Sequence, residues 1–263
     1  MTDLDGLNSI DGIQFLDQVL RSTTIEEIWS LHTKRMAQFG FDRLLYAFSR
    51  FRAPNSFGNP EDALVLSNHD PEYLREYAKD GLFKAGPMMR WAADNVGAQS
   101  WRLMQEWQRS DSLTVEERKV ADLNRRFDVV AGYSIGFREV SVRAKGGIGL
   151  CARKGMSQNE VEQIWAEHGR EIAVLNNVIH LRISALPYVT RRALTARQRE
   201  TLEWVGEGKT TQDIATIMGL TAATVEKHLR LARETLDVET TAQAVLMASL
   251  RNQIFVIPEL RLS

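Results

Sequence analysis

TTQDIATIMGLTAATVEKHLR, residues 210–230, holds two helix starts and one corner. Thr210 stands three residues before Asp213, the spacing of a capping box in which both side chains satisfy free N–H groups of a first helical turn. Thr221 opens a second helix with another hydroxyl cap. Between the two helices lie only Met218, Gly219 and Leu220. Glycine takes the positive φ that so sharp a corner demands, and the pattern predicts a helix-turn-helix. On the second helix Val225, Leu229, Ala232 and Leu236 share one face and pack inward. Ala222, Ala223, Glu226, Lys227, Arg230 and Arg233 lie elsewhere around it. Small residues followed by basic or amide ones suit a helix that enters the major groove of DNA. A small helical bundle with solvated charges fits the same spacing, and Glu226 and Glu234 keep the segment near neutral.

Two more helices flank this pair, one capped by Thr195 with Gln198 and one by Thr240 with Gln243. Upstream, Pro187 and a run of charge interrupt the helical pattern. The expected domains are therefore 1–184 and 194–263, joined by a linker over 185–193. The first domain mixes periodicities. Helices are expected over 13–22, 25–39, 71–80 (Asp70 as cap, Pro71 in the first turn), 87–95 and 115–127 (Thr114 and Glu117 as capping box), and from a Ser157 cap to about Ser184. Strands are expected over 44–51 and 63–66, with a hairpin of 132–142 and 147–152 turning at Lys145-Gly146-Gly147. The fold class is α+β: an α-β-α sandwich followed by an all-α four-helix domain.

Composition agrees with a soluble protein, at 44% hydrophobic and 25% charged residues over 263 positions. The opening residues carry Asp3 and Asp5 where a secretory signal needs positive charge, no apolar run is long enough for a membrane span, and the expected location is cytoplasmic. A single cysteine, Cys151, excludes an intramolecular disulfide and a cysteine-built zinc site. His32, His69, His168, His180 and His228 are scattered, no metal spacing is present, and no glycine-rich loop opens a helix after a strand. No catalytic residue, metal or cofactor is expected, and the chain does not read as an enzyme.

Residues 194–255 carry a dense motif: Leu194-Thr195-Ala196-Arg197-Gln198-Arg199-Glu200, Trp204, Gly208-Lys209-Thr210, Asp213-Ile214-Ala215, Thr224-Val225, His228-Leu229, Leu236-Asp237-Val238 and Gln243-Ala244-Val245. It closely resembles the LuxR-type helix-turn-helix, departing at Thr235, where a lysine is usual. The resemblance implies a dimeric transcription activator on a roughly palindromic duplex. Its DNA-facing set would be Lys209, Thr210, Thr221, Ala223, Thr224, Glu226, Lys227, His228 and Arg230, with Lys227 and Arg230 nearest bases or phosphates. The last helix would pair with its twin through Ala244, Val245 and Ala248.

Residues 65–140 resemble the autoinducer-binding domain of quorum-sensing LuxR regulators. Asn68, Tyr77, Trp101 and the turn Gly132-Tyr133-Ser134-Ile135-Gly136 keep that family's spacing. The departures are His69 at a tyrosine position, Tyr73 at a tryptophan and Gly86-Pro87 in place of Asp-Pro. The resemblance implies a homodimer with a small molecule between sheet and helices, lined by His69, Tyr73, Tyr77, Gly86, Trp101 and Arg138. Arg138 inside the cavity would favour an anionic ligand, and strand alternation equally allows it to face solvent. The family's aspartate accepts the amide N–H of an acyl-homoserine lactone, and Gly86 cannot. The ligand is therefore expected not to be a standard acyl-homoserine lactone. The alternatives are a rearranged pocket for such a lactone, or a domain that only dimerises.

Overall fold

The computed structural model describes residues 9–51, 62–188 and 193–257. They fall into two units, Met1–Ser184 and Ala185–Ser263. In the first unit α1 (Ser9–Arg21) and α2 (Ile25–Gln38) precede strands β1 (Phe41–Ser49) and β2 (Leu64–Ser67). Then come α3 (Pro71–Ala78), a 3-10 segment over Lys79–Ala85, α4 (Pro87–Asp94), β3 (Gly97–Ser100), α5 (Arg102–Arg109) and α6 (Val115–Arg126). Strands β4 (Gly132–Gly136) and β5 (Lys145–Ala152) and the long α7 (Gln158–Ala185) complete it. The expected caps are in place: Asp70 accepts from the Glu72 N–H, and Thr114 and Glu117 close a capping box.

The sheet has five strands in the order β2-β1-β5-β4-β3, and every pairing is antiparallel. Its two faces separate by alternation. Tyr46 and Phe48 meet His180 of α7, and Tyr133 stacks on Trp165 of α7 at 3.8 Å. On the opposite face Leu45, Gly149 and Ser134 stand in register across β1, β5 and β4, beneath α3, α4, α5 and α6. Helices thus cover both sides of the sheet, an α-β-α sandwich.

Two features differ from the sequence expectation. Lys145-Gly146-Gly147 is not a turn but the start of β5, paired with Ser49, Phe48 and Ala47 of β1. Gly146 lies so close beneath His180 of α7 that a side chain there would overlap the ring. The connection from β4 runs through 137–144 instead, and the Lys145 ammonium secures it by donating to the carbonyls of Phe137 (3.2 Å) and Asn95 (2.6 Å). The second difference is β3 with α5, neither of which is among the expected elements.

In the second unit α8 (Ala196–Gly206), α9 (Thr211–Met218), α10 (Ala222–Leu236) and α11 (Thr241–Leu250) surround one core. Thr195, Thr210, Thr221 and Thr240 cap them in order, and Gly219 takes φ 66° at the corner. Val225, Leu229, Ala232 and Leu236 are buried as expected. Of the linker expected over 185–193, Ala185 ends α7, Leu186 and Tyr188 are buried, and residues 189–192 lie outside the described residues. Among the described residues, no helix is long and apolar enough to cross a membrane.

Candidate functional site

A cavity of about 60 Å³ lies between the sheet and α3, α4, α5 and α6. The Asp70 cap fixes the start of α3, and Tyr73 and Tyr77, one turn apart on it, both face inward. Their rings stack at 5.5 Å and 13°, and His69, just before the cap, stacks on Tyr73 at 5.0 Å. Three consecutive rings form one wall. Met88, Met89 and Met104 contribute to another, and Leu45, Ser134 and Gly149 belong to the sheet side. Trp101, at the start of α5, closes an end and donates its indole N–H to Ser134 Oγ at 2.9 Å. Tyr73 donates its hydroxyl to Asn124 Oδ1 of α6 at 2.9 Å.

Among the described residues, no acid, lysine or arginine belongs to the lining. Burial, with the nearby Arg43 guanidinium adding to it, lowers the His69 pKa to about 4, so the ring is uncharged at neutral pH. Burial likewise raises the pKa of Tyr77, and that of Tyr73 with Tyr77 contributing. Arg43 itself donates to the carbonyls of Phe127, Asp128 and Ala152. Cys151, in the packing behind the lining, is pushed up to about 12 by burial and is an inert thiol.

Five of the six expected ligand residues (His69, Tyr73, Tyr77, Gly86 and Trp101) line this cavity. Arg138 does not. It is exposed, because β4 ends at Gly136 and strand alternation no longer governs the chain two residues later. An anion-binding role inside the cavity has no basis in this arrangement. Asn124, Ser134 and the methionines belong to the lining but carried no sequence signal as ligand residues. Gly86 has a steric reason to be glycine. A Cβ there would fall under 3.0 Å from the Tyr77 hydroxyl, so the tyrosine oxygen occupies the space of any side chain at 86.

In the second unit, the expected DNA-facing residues all reach the surface. Lys209, Thr210, Thr221, Ala223, Glu226, Lys227 and Arg230 are exposed, and Thr224 and His228 are half-buried. Thr210 and Thr221 hold the first turns of α9 and α10 by accepting from the Asp213 and Thr224 N–H groups. The Thr211 hydroxyl donates to Glu226 at 2.8 Å and ties α9 to α10. Arg230 pairs with Glu234, an exposed contact that a phosphate readily replaces. Lys227 makes no ion pair among the described residues. The expected pairing face of α11 requires correction. Ala244 and Ala248 are fully buried in the unit's own core and Val245 packs against it, whereas Leu246 is 58% exposed. The small residues of α11 allow its close approach to α8 and α10, and its outward face carries Ala242, Leu246 and Ser249.

Two family descriptions match the chain. A family described as "Autoinducer binding domain" matches residues 24–183, and one described as "Bacterial regulatory proteins, luxR family" matches 192–248. The transcriptional activator protein SolR of Ralstonia nicotianae is 28% identical over 222 residues, covering 80% of this chain and 85% of SolR. The transcriptional activator protein ExpR of Dickeya dadantii is 23% identical over 214 residues, 74% of this chain and 80% of ExpR. Among solved structures, Escherichia coli SdiA superposes with a TM-score of 0.50 at 17% identity, covering 93% of this chain and 98% of that one. SdiA in complex with octanoyl-rac-glycerol gives a TM-score of 0.53 at 17% identity over 91% and 93%. These structures share the fold.

Proposed function

The chain belongs to the LuxR family of bacterial regulators that place an autoinducer-binding domain ahead of a helix-turn-helix, and on that premise we propose that it binds a two-fold DNA site as a homodimer under the control of a small molecule held in the cavity. It is a transcription regulator and not an enzyme. Convergence of His69, Tyr73, Tyr77, Gly86 and Trp101 on one cavity carries the sensing part of the reading. Exposure of Lys227 and Arg230 on α10 supports DNA contact through Lys209, Thr210, Thr221, Ala223, Thr224, Glu226, Lys227, His228 and Arg230. Ala242, Leu246 and Ser249 on α11 are the proposed pairing face in the DNA-binding unit.

The ligand in this reading is not a standard acyl-homoserine lactone. Gly86 offers no carboxylate for the amide N–H, and the Tyr77 hydroxyl fills the place where one would stand. SdiA, of the same fold, is seen with octanoyl-rac-glycerol, which has no amide. A calorimetric panel of acyl-homoserine lactones of varied chain length on the full protein tests this. Submicromolar binding by any of them overturns it. The small cavity favours a second reading, in which the domain's own side chains fill it and it serves only for dimerisation. Native mass spectrometry with small-molecule extraction separates the two readings, since a co-purifying ligand belongs only to the first.

A further inference from the structure

The polar groups of the cavity are unequally engaged. The Tyr73 hydroxyl is held by Asn124, and the Trp101 indole N–H by Ser134. The Tyr77 hydroxyl and the His69 ring line the same cavity, and neither is hydrogen-bonded to another of the described residues. Both sit at the ends of the ring stack that begins with His69 and ends with Tyr77. Gly86 is bound up with this arrangement, because only a residue without a side chain leaves the Tyr77 oxygen where it is. Around these two groups the lining is apolar, with three methionines whose unbranched side chains repack easily.

We infer that Tyr77, in the position Gly86 clears for it, is the specificity-determining hydrogen-bonding residue of the cavity, and that the ligand is an uncharged amphiphile whose hydroxyl or ester oxygen pairs with it. This deepens the sensor reading and rests on it. A carboxylate entering the cavity would lose its water and find no cation among the described lining residues, which is strongly unfavourable. A hydroxyl can both donate and accept, as a neutral imidazole and a phenol require. The methionines turn aside to admit the apolar body, since a cavity of about 60 Å³ holds only a few small atoms as it stands.

The test uses a matched pair of probes, octan-1-ol and octanoate, with the full chain and its Tyr77→Phe variant at pH 8, read by thermal shift and calorimetry. The alcohol should bind and raise the melting temperature, and octanoate should not. Tyr77→Phe should melt near the parent temperature and bind the alcohol about three- to tenfold more weakly, the range of one neutral hydrogen bond. Binding of octanoate as tightly as the alcohol overturns this inference and leaves the sensor reading in place. Equal alcohol affinity in the parent and Tyr77→Phe removes the role of Tyr77 alone. If neither probe binds, this inference falls, and native mass spectrometry decides the sensor reading separately.

Discussion

Replacing Gly86 by alanine adds a single methyl group, and its cost is set almost entirely by one oxygen atom. Gly86 has φ −64° and ψ 112°, which alanine adopts without strain. Alanine restricts the unfolded chain and so stabilises by about 0.4–1 kcal/mol. It is also a poorer N-cap for α4 than glycine, by roughly half a kcal/mol, and these two effects nearly cancel. What remains is the overlap with the Tyr77 hydroxyl, an overpacking penalty of about 1–3 kcal/mol in a buried site. The next neighbours are Phe83 O at 3.2 Å and Met89 Cβ at 3.4 Å, distances that small shifts relieve. Removing the hydroxyl should therefore remove the penalty. Tyr77→Phe alone should be close to neutral, because no hydrogen bond among the described residues is lost. Urea and thermal unfolding of the parent, Gly86→Ala, Tyr77→Phe and the double variant close the cycle. Gly86→Ala should melt about 2–10 °C lower than the parent, and the double variant should recover most of that. Equal tolerance of alanine with and without the hydroxyl would show that the oxygen does not occupy this space.

Three other outcomes are expected. Lys227→Ala or Arg230→Ala should weaken binding to a symmetric duplex by about 1–3 kcal/mol where the side chain reads a base, or reduce the salt slope by about 1 where it meets a phosphate; parental affinity in both at matched salt would displace α10 from the groove. His32 and His69 are both lowered by burial from 6.5 to about 4, so between these values the unfolded chain binds more protons than the folded one. Their contribution is complete above pH 6.5 and lost as pH falls toward 4, on the order of 3 kcal/mol each. The urea midpoint should drop between pH 7.5 and pH 5, less so in His32→Gln or His69→Gln, and a flat profile in the parent refutes the burial of neutral rings. Leu246→Glu, on the exposed face of α11, should shift sedimentation toward monomer while the unfolding transition stays cooperative; an unchanged dimer places the interface elsewhere.

The C-terminal unit was legible because each helix start carries its own chemistry. A threonine three residues before Gln198, Asp213 or Gln243 signals a cap locally, and Gly219 signals the corner. The sheet was only partly legible. Gly97-Ala98-Gln99-Ser100 has no β-branched residue, and the ladder to β4 alone makes it a strand. Helix α5 is eight mostly polar residues and buries only Met104 fully, so few apolar side chains mark it off from its flanks. Lys145-Gly146-Gly147 has turn chemistry, but the demand at that point is for room beneath His180. In the cavity the aromatic positions could be placed by family spacing. The partnership of Tyr77 with Gly86 could not, since it depends on how the 3-10 segment brings α4 back toward α3. Arg138 failed because the strand ends before it, at Gly136, and the alanines of α11 because residue type alone does not say which side of a helix faces out.

The ring wall of the cavity is contiguous in sequence. His69, Tyr73 and Tyr77 come from one stretch, in which Asp70 and Pro71 start the helix and Ser67 and Asn68 tie its beginning to the sheet. Most of the remaining lining is drawn from segments scattered between Gly86 and Gly149. Ligand preference should therefore be portable: exchanging residues 69–77 with those of a relative moves the wall as one cassette, and positions 86 and 124, which meet Tyr77 and Tyr73, have to travel with it.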